Sequence, residues 1–328
     1  MGKTMSEKTI VISIGVAHQL AQQASDEKEY ERVREIWEEV EADPTIIGDA
    51  DDYHNFAVVL SRDDDYLTAY QIVVRGLMQF PYNTDLLADA IYYGSNCKKY
   101  KECDEHVKVL LGRPRSSWTW RSFTFLIDYF KNSWDWEHDP KTVEDGLKIA
   151  LGVAKEYQKY CPSEERSYLA EYDVRQRLAG AAMDKNDEEE VNKQREAALE
   201  LLKNTINSGK YSAVQCSLRY ADAMFERQEF NEVINICNKA LQFGEQTASA
   251  RLGYFMYLSA LSREILLYQK GDLHNIEEIY QIYNEYLAAL TDTGDSYRRN
   301  ISKRVRILSA RSGTAIPDEL SESMRWVL

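Results

Sequence analysis

Apolar residues recur at three- and four-residue steps along almost the whole chain, with polar residues filling the positions between them. That period predicts amphipathic helices. Tyr53, Phe56, Ala57 and Leu60 mark one helix, Tyr66, Ala69, Val73 and Leu77 a second, and Pro81 closes the pair. The same frame returns at a step of roughly 34–36 residues, a period that marks stacked supersecondary units. Downstream it reads Leu87, Ala90, Ile91 and Gly94, then Tyr100, Cys103, Val107 and Leu111, with Pro114 nearby. Upstream it reads Ala17, Leu20, Ala21 and Ala24, then Tyr30, Val33, Trp37 and Glu41, with Pro44 closing.

The pattern predicts helix pairs over 9–24 and 28–42, 50–61 and 64–80, and 84–96 and 99–111. The first start is weakened by Thr9-Ile10-Val11-Ile12, a β-branched run that forms helix poorly. Asp63, Asp64 and Asp65 stand where an N-cap and first-turn acids are favourable. The frame then loosens into helices over 117–131, 141–160, 164–183 and 187–207, and tightens again at 212–243. Further helices are expected over 247–269, 273–290 and 295–311, followed by a tail from 313 that either caps the array through Trp326 or frays. The polar junction Asp184-Lys185-Asn186-Asp187 raises the question of a domain boundary. Helical pattern continues on both sides, so a single array over 1–328 is expected, with a change of pitch there. Its clear repeats span about 13–114 and 212–244, and its divergent ones 115–211 and 245–312.

Composition supports helices. Glycine (15) and proline (6) are scarce in 328 residues, and 44% of the chain is hydrophobic. Turn-rich β architecture needs more of both. The net charge of −14 disfavours a phosphate backbone along the body and suits a basic or neutral peptide, although acidity also serves solubility alone. Five cysteines, none in a CxxC pair, read as small apolar residues in a reducing compartment, so a cytoplasmic location is expected. No run is long enough to span a bilayer. Ile10 to Ala17 passes for a weak secretion signal, but Glu7 interrupts its positive region. Met1 to Ser6 fits only a loose lipidation pattern.

With these residues in view, the chain resembles the tetratricopeptide repeat family. Tyr53, Phe56, Ala57 and Leu60 stand in the first-helix places of that motif, and Ala69, Val73, Gly76 and Pro81 in the second-helix places. Val33, Ile91, Cys103 and Val233 are larger than the family's small residues, so those crossings should be wider or repacked. The resemblance implies an α-solenoid: a right-handed superhelix of antiparallel pairs, about seven here plus a C-terminal capping helix, with a concave groove lined by first helices.

First-helix positions pointing away from the packing face give candidate groove residues: His18, Gln22, His54, Asn55, Arg62, Asp85, Tyr92 and Asn96, and in a later unit Asp222 and Phe225. Some relatives clamp a terminal carboxylate there with cations and amides. This chain offers Asn55, but His18, Gln22, Asp85 and Asp89 stand where cations are needed, so such a clamp is not expected. His18 and His54 lie one repeat apart without a convincing third metal ligand, so no metal site is assigned. Trp118, Trp120, Trp134 and Trp136, among arginines, suit a core filling an irregular repeat, a protein interface, or stacking on nucleic-acid bases. The last long helix carries Arg298, Arg299, Lys303, Arg304, Arg306 and Arg311 with no acid from 296 to 317, so it either shows a basic face to a partner, nucleic acid or an anionic surface, or is a solvated or intramolecularly paired capping helix.

Gly2-Lys3-Thr4 lacks the glycine loop of a phosphate site, and no GxSxG, HExxH or GxGxxG occurs. The expected function is a non-catalytic scaffold, with no cofactor, whose groove binds a protein or peptide. One alternative is a ligand- or peptide-sensing regulator acting through a partner effector, since residues 1–50 show no helix-turn-helix. A weaker one is nucleic-acid binding through the basic last helix. Oligomeric state is not legible.

Overall fold

A computed structural model describes residues 13–133, 140–209, 213–242, 249–270, 276–289 and 296–325. Among these residues there are sixteen α-helices and no strand. The first three pairs are α1 (Ile14–Asp26) with α2 (Tyr30–Ala42), α3 (Ala50–Leu60) with α4 (Tyr66–Gln79), and α5 (Thr84–Asn96) with α6 (Tyr100–Leu111). The next four helices are α7 (Trp120–Asp128), α8 (Pro140–Tyr160), α9 (Glu165–Met183) and α10 (Glu188–Asn207). Then come α11 (Val214–Glu226), α12 (Phe230–Leu241), α13 (Ser249–Lys270), α14 (Ile276–Ala289), α15 (Ser296–Ser312) and α16 (Asp318–Arg325). The chain is an all-α helical repeat, as its periodicity predicts.

Capping chemistry sets the starts. Ser13 accepts from Val16 N at 3.2 Å and begins α1. The β-branched run before it lies outside the described residues. Asp49 and Asp52 form a capping box on α3. Of the three aspartates before α4, Asp65 is the cap, accepting from Thr68 N at 3.1 Å, while Asp64 adopts left-handed backbone. The region expected as one helix over 117–131 is instead three pieces: a 3-10 turn at Arg115–Ser117, α7, and a π-helical turn at Tyr129–Ser133. The tail forms α16, with Leu320 and Met324 buried. Trp326, its expected anchor, lies outside the described residues.

The repeat is written again in the turns. Lys28, Lys98, Asn186 and Gln228 all have positive φ near +60°. Each follows the last turn of a first helix, and the next residue's N–H returns to a carbonyl inside that helix. The bonds are Glu29 N to Ala24 O (2.8 Å), Lys99 N to Gly94 O (2.7 Å), Asp187 N to Ala182 O (3.0 Å) and Glu229 N to Met224 O (2.9 Å). This six-to-one closure satisfies orphan carbonyls and reverses the chain within three or four residues. It places the divergent α9–α10 junction on the same plan as the clear repeats.

The chain divides into two compact units: Met1–Pro162 with Asp173–Val191, and Ser163–Tyr172 with Asn192–Leu328. In the first unit Ala17, Ala21, Ala57, Ala69 and Ala90 are fully buried at the helix crossings, with Tyr53, Phe56 and Ile72 filling the spaces between. Cys103, large for its place, is repacked rather than splayed. It faces Gly94, where a Cβ would stand only 2.7 Å from its Sγ. Arg75 of α4 ties the α3–α4 pair to the α1–α2 pair. Its guanidinium donates to the carbonyls of Val40, Asp43 (2.7 Å) and Ile46 (2.6 Å), at and just beyond the end of α2 where helix carbonyls lack partners.

The second unit has one cluster around Leu202, Cys216, Tyr220, Val233, Cys237 and Phe255, and another around Ile279, Tyr283, Leu287, Ile301, Val305 and Leu308. Among the described residues no helix is long and apolar enough to cross a membrane.

Candidate functional site

In the first unit the first helices pack in succession, α1 on α3, α3 on α5 and α5 on α7. Matching positions therefore come side by side, and side chains meet partners about one repeat away. His54 Nδ1 lies 2.7 Å from Asp89 Oδ2. Arg121 donates to Asp85 Oδ2 at 3.0 Å, and Thr119 and Ser122 donate to Asp85 Oδ1. Arg62 reaches back to Asp26 at 3.3 Å, and Gln22 donates to the same carboxylate at 2.7 Å. Much of the expected groove polarity thus serves contacts between repeats.

Asp89 is fully buried, and among the described residues its Oδ1 has no hydrogen-bond partner. Desolvation pushes its carboxyl above the ordinary value, opposed by the hydrogen bond and charge of His54. Burial holds His18 below the usual histidine range, with Arg62 and His54 adding to that effect and Asp52 opposing it. His18 and His54 are both half-buried, and no group of three or more potential metal ligands occurs among the described residues.

Beside this polar ladder runs a row of rings. Tyr66 meets Tyr92 edge-on at 6.4 Å, Tyr92 stacks on Phe125 at 4.6 Å, and Phe125 meets Trp120 at 6.4 Å. Such contacts contribute about 0.5–1.5 kcal/mol each beyond area burial. The four rings come from α4, α5 and α7. Tyr66, Tyr92 and Phe125 are half-buried, and Trp120 is 39% exposed. Asn96 flanks the row, donating to Tyr92 O at 2.8 Å, and Asn55 is exposed on α3. Arg62 stands on the rim of a separate cleft of about 330 Å³, lined by Tyr30, Arg34, Trp37, Val59 and Leu60.

The remaining expected residues go several ways. Trp118 is core: it is buried against Phe123, with the Arg115 guanidinium 4.0 Å from its ring centre. Trp134 and Trp136 lie outside the described residues. In the second unit Tyr254 donates to Asp222, whose carboxyl is raised chiefly by desolvation, and Phe225 packs on Phe230. The side chain of Arg298 is outside the described residues, and Arg299 is exposed. Arg304 is not part of an open basic face. Its Nε and Nη2 hold Glu264 at 2.9 and 2.8 Å, and Tyr283 donates to the same carboxylate at 2.8 Å. Glu264 was not singled out in the sequence. A lone acid in the apolar stretch Phe255–Leu267 was the available signal, because a buried carboxylate requires a paired cation.

No protein-family model matches the chain, and no curated protein does. Among solved structures it is similar to the human IFIT1 dimer with PPP-AAAA, at 12% identity and a TM-score of 0.47, covering 92% of this chain and 64% of that one. This chain therefore spans less than two thirds of that protein. It is also similar to a circular tandem repeat protein with novel repeat topology and enhanced subunit contact surfaces, at 13% identity and a TM-score of 0.28, covering 96% and 81%. Likeness this distant leaves the function of the chain to its own residues.

Proposed function

We propose that this chain is a tetratricopeptide-like scaffold whose first-helix face binds a protein or peptide, and that it performs no chemistry itself. The observation that carries this reading is the aromatic row Tyr66–Tyr92–Phe125–Trp120. Tyrosine and tryptophan are the side chains that most often dominate binding energy at protein interfaces. They offer large contact area at small entropic cost. Here the rings are braced by one another and by helices already packed, so little ordering is needed on binding. Asn96 and Asn55 supply amides for a ligand backbone. The half-buried Asp85–Arg121 pair and the His54–Asp89 pair, with Asp89 buried, hold adjacent first helices in register.

Selection of a displayed random-peptide library on the purified chain tests the reading. Peptides recovered should bind with micromolar or tighter affinity by calorimetry. Trp120→Ala, at an exposed position, should weaken them by at least about tenfold, a loss of the size expected of a hot-spot aromatic. Failure to recover any peptide that distinguishes the two proteins overturns the proposal.

A further inference from the structure

The outer face of α15 is a strongly charged surface among the described residues, and the aromatic row does not use it. Ile301, Ser302, Val305 and Leu308 turn inward and are buried. Arg299, Lys303, Arg306, Ile307 and Arg311 are exposed on the other side. Residues four apart lie above one another on a helix, so Arg299, Lys303, Ile307 and Arg311 form one row, with Arg306 alongside. At about 1.5 Å per residue the row is roughly 18 Å long. Ile307, 43% exposed, is bracketed by a cation one turn before it and one turn after.

Some exposed cations on other helices have an acid one turn away: Lys108 pairs with Glu105 at 2.7 Å, and Lys148 with Glu144 at 2.7 Å. On α15 none of Arg299, Lys303, Arg306 and Arg311 pairs with an acid among the described residues, and the helix contains no Asp or Glu. Like charges one turn apart disfavour a helix by a few tenths of a kcal/mol each. This concentration occurs in a chain whose net charge is −14.

We propose that this face docks an acidic amphipathic helix of a partner protein, one with carboxylates a turn before and a turn after an aliphatic side chain. The carboxylates would meet Lys303 and Arg311, and the aliphatic group would cover Ile307. A nucleic acid matches the cations but leaves Ile307 without a partner. A polyanion longer than the row also runs onto an acidic body that repels it. The site is on α15 in the second unit, so it stands or falls separately from the aromatic row on α4, α5 and α7.

The test uses the full chain and a synthetic, helix-stapled acidic peptide with Glu one turn on either side of Leu. The controls are the same peptide with Gln for Glu, a short single-stranded RNA, and phosphatidylserine vesicles. The acidic peptide should bind, and the Gln peptide should not. The double variant Lys303→Glu with Arg311→Glu should weaken binding by about tenfold or more, and Ile307→Ser by about threefold or more. Lys303→Ala serves as a milder charge variant if the reversal lowers the melting temperature, and Arg304 is left intact to preserve its bond to Glu264. No binding of the acidic peptide overturns the proposal. So does binding that ignores Ile307→Ser, or RNA or vesicles binding more tightly than the peptide and depending on the same cations.

Discussion

The same substitution, glycine to alanine, should have opposite signs at two kinds of site in the first unit. At Gly76 an added Cβ would stand 2.8 Å from Tyr53 Cγ, 3.0 Å from Tyr53 Cβ and 3.2 Å from Leu86 Cδ1. Carbon atoms pack comfortably at about 3.5–4.0 Å, so something must move by several tenths of an ångström. Tyr53 has little freedom to yield. It is fully buried, its near atoms lie close to the α3 backbone, and its hydroxyl accepts from Gln79 Nε2 at 2.6 Å. Overpacking of this sort costs about 1–3 kcal/mol, while alanine gains at most about 1 kcal/mol of helix propensity over glycine. The net is a destabilisation of about 1 kcal/mol. Gly152 and Gly180 are exposed helical glycines, and an added Cβ there meets nothing within 4 Å. Only the propensity term remains, a gain of about 0.5–1 kcal/mol. Urea unfolding followed by far-ultraviolet circular dichroism should show the midpoint falling for Gly76→Ala and rising for Gly152→Ala and Gly180→Ala. A rise at Gly76 equal to that at Gly152 would refute the close helix approach on which the packing account rests.

Three further outcomes follow from individual contacts. Lys98→Gly should stabilise by about 0.5–1 kcal/mol in the same urea assay, because Lys98 holds φ of +63° where an L side chain is strained; an unchanged or lower midpoint contradicts the turn geometry. Arg304→Ala should cost about 3–5 kcal/mol in calorimetric unfolding, because Glu264, only 4% exposed, would keep a buried charge without its guanidinium; a loss below 1 kcal/mol on the same scale would show that Glu264 is solvated. Asp89→Asn should flatten part of the pH dependence of stability. Burial raises the folded carboxyl above 3.8, so the folded chain keeps a proton that the unfolded chain releases. The stability this gives is complete below the unfolded value and is lost as pH rises through the folded one. The asparagine variant should therefore gain on the wild type as pH increases toward neutrality, and a constant difference across that range would remove Asp89 as the titrating group.

The helices were legible because burial on one side of a helix repeats at its own period. Ala17, Ala21, Tyr53, Ala57, Val73, Cys103 and Val233, placed by pattern alone, are all buried. Ends were legible where a cap residue or proline marks them, as at Asp65 and Pro81. The turns were not. In the turns that close four of the first helices the left-handed positions are held by Lys28, Lys98, Asn186 and Gln228, of which only asparagine favours that backbone. The surface was legible only as a set of positions. The sequence places Asp85, Asp89 and His54 on first helices but does not fix the rotation of each helix against the next. That rotation decides that Asp85 meets Arg121 and Asp89 meets His54, so these side chains brace neighbouring repeats instead of standing open. The same information separates Trp118, in the core, from Trp120, on the surface two residues later. Arg304 and Glu264 lie forty residues apart in sequence, and only packing within the second unit brings them together.

The face built from α5 and α7, with Tyr66 at the start of α4, should receive a ligand while the second helices α2 and α6 do not. Hydrogen–deuterium exchange of the full chain, with and without a saturating library-selected peptide, tests this directly. Exchange should slow over residues 84–96 and 120–128 and stay unchanged over 30–42 and 100–111. Protection centred on those second helices, or none anywhere despite measured binding, would contradict the account.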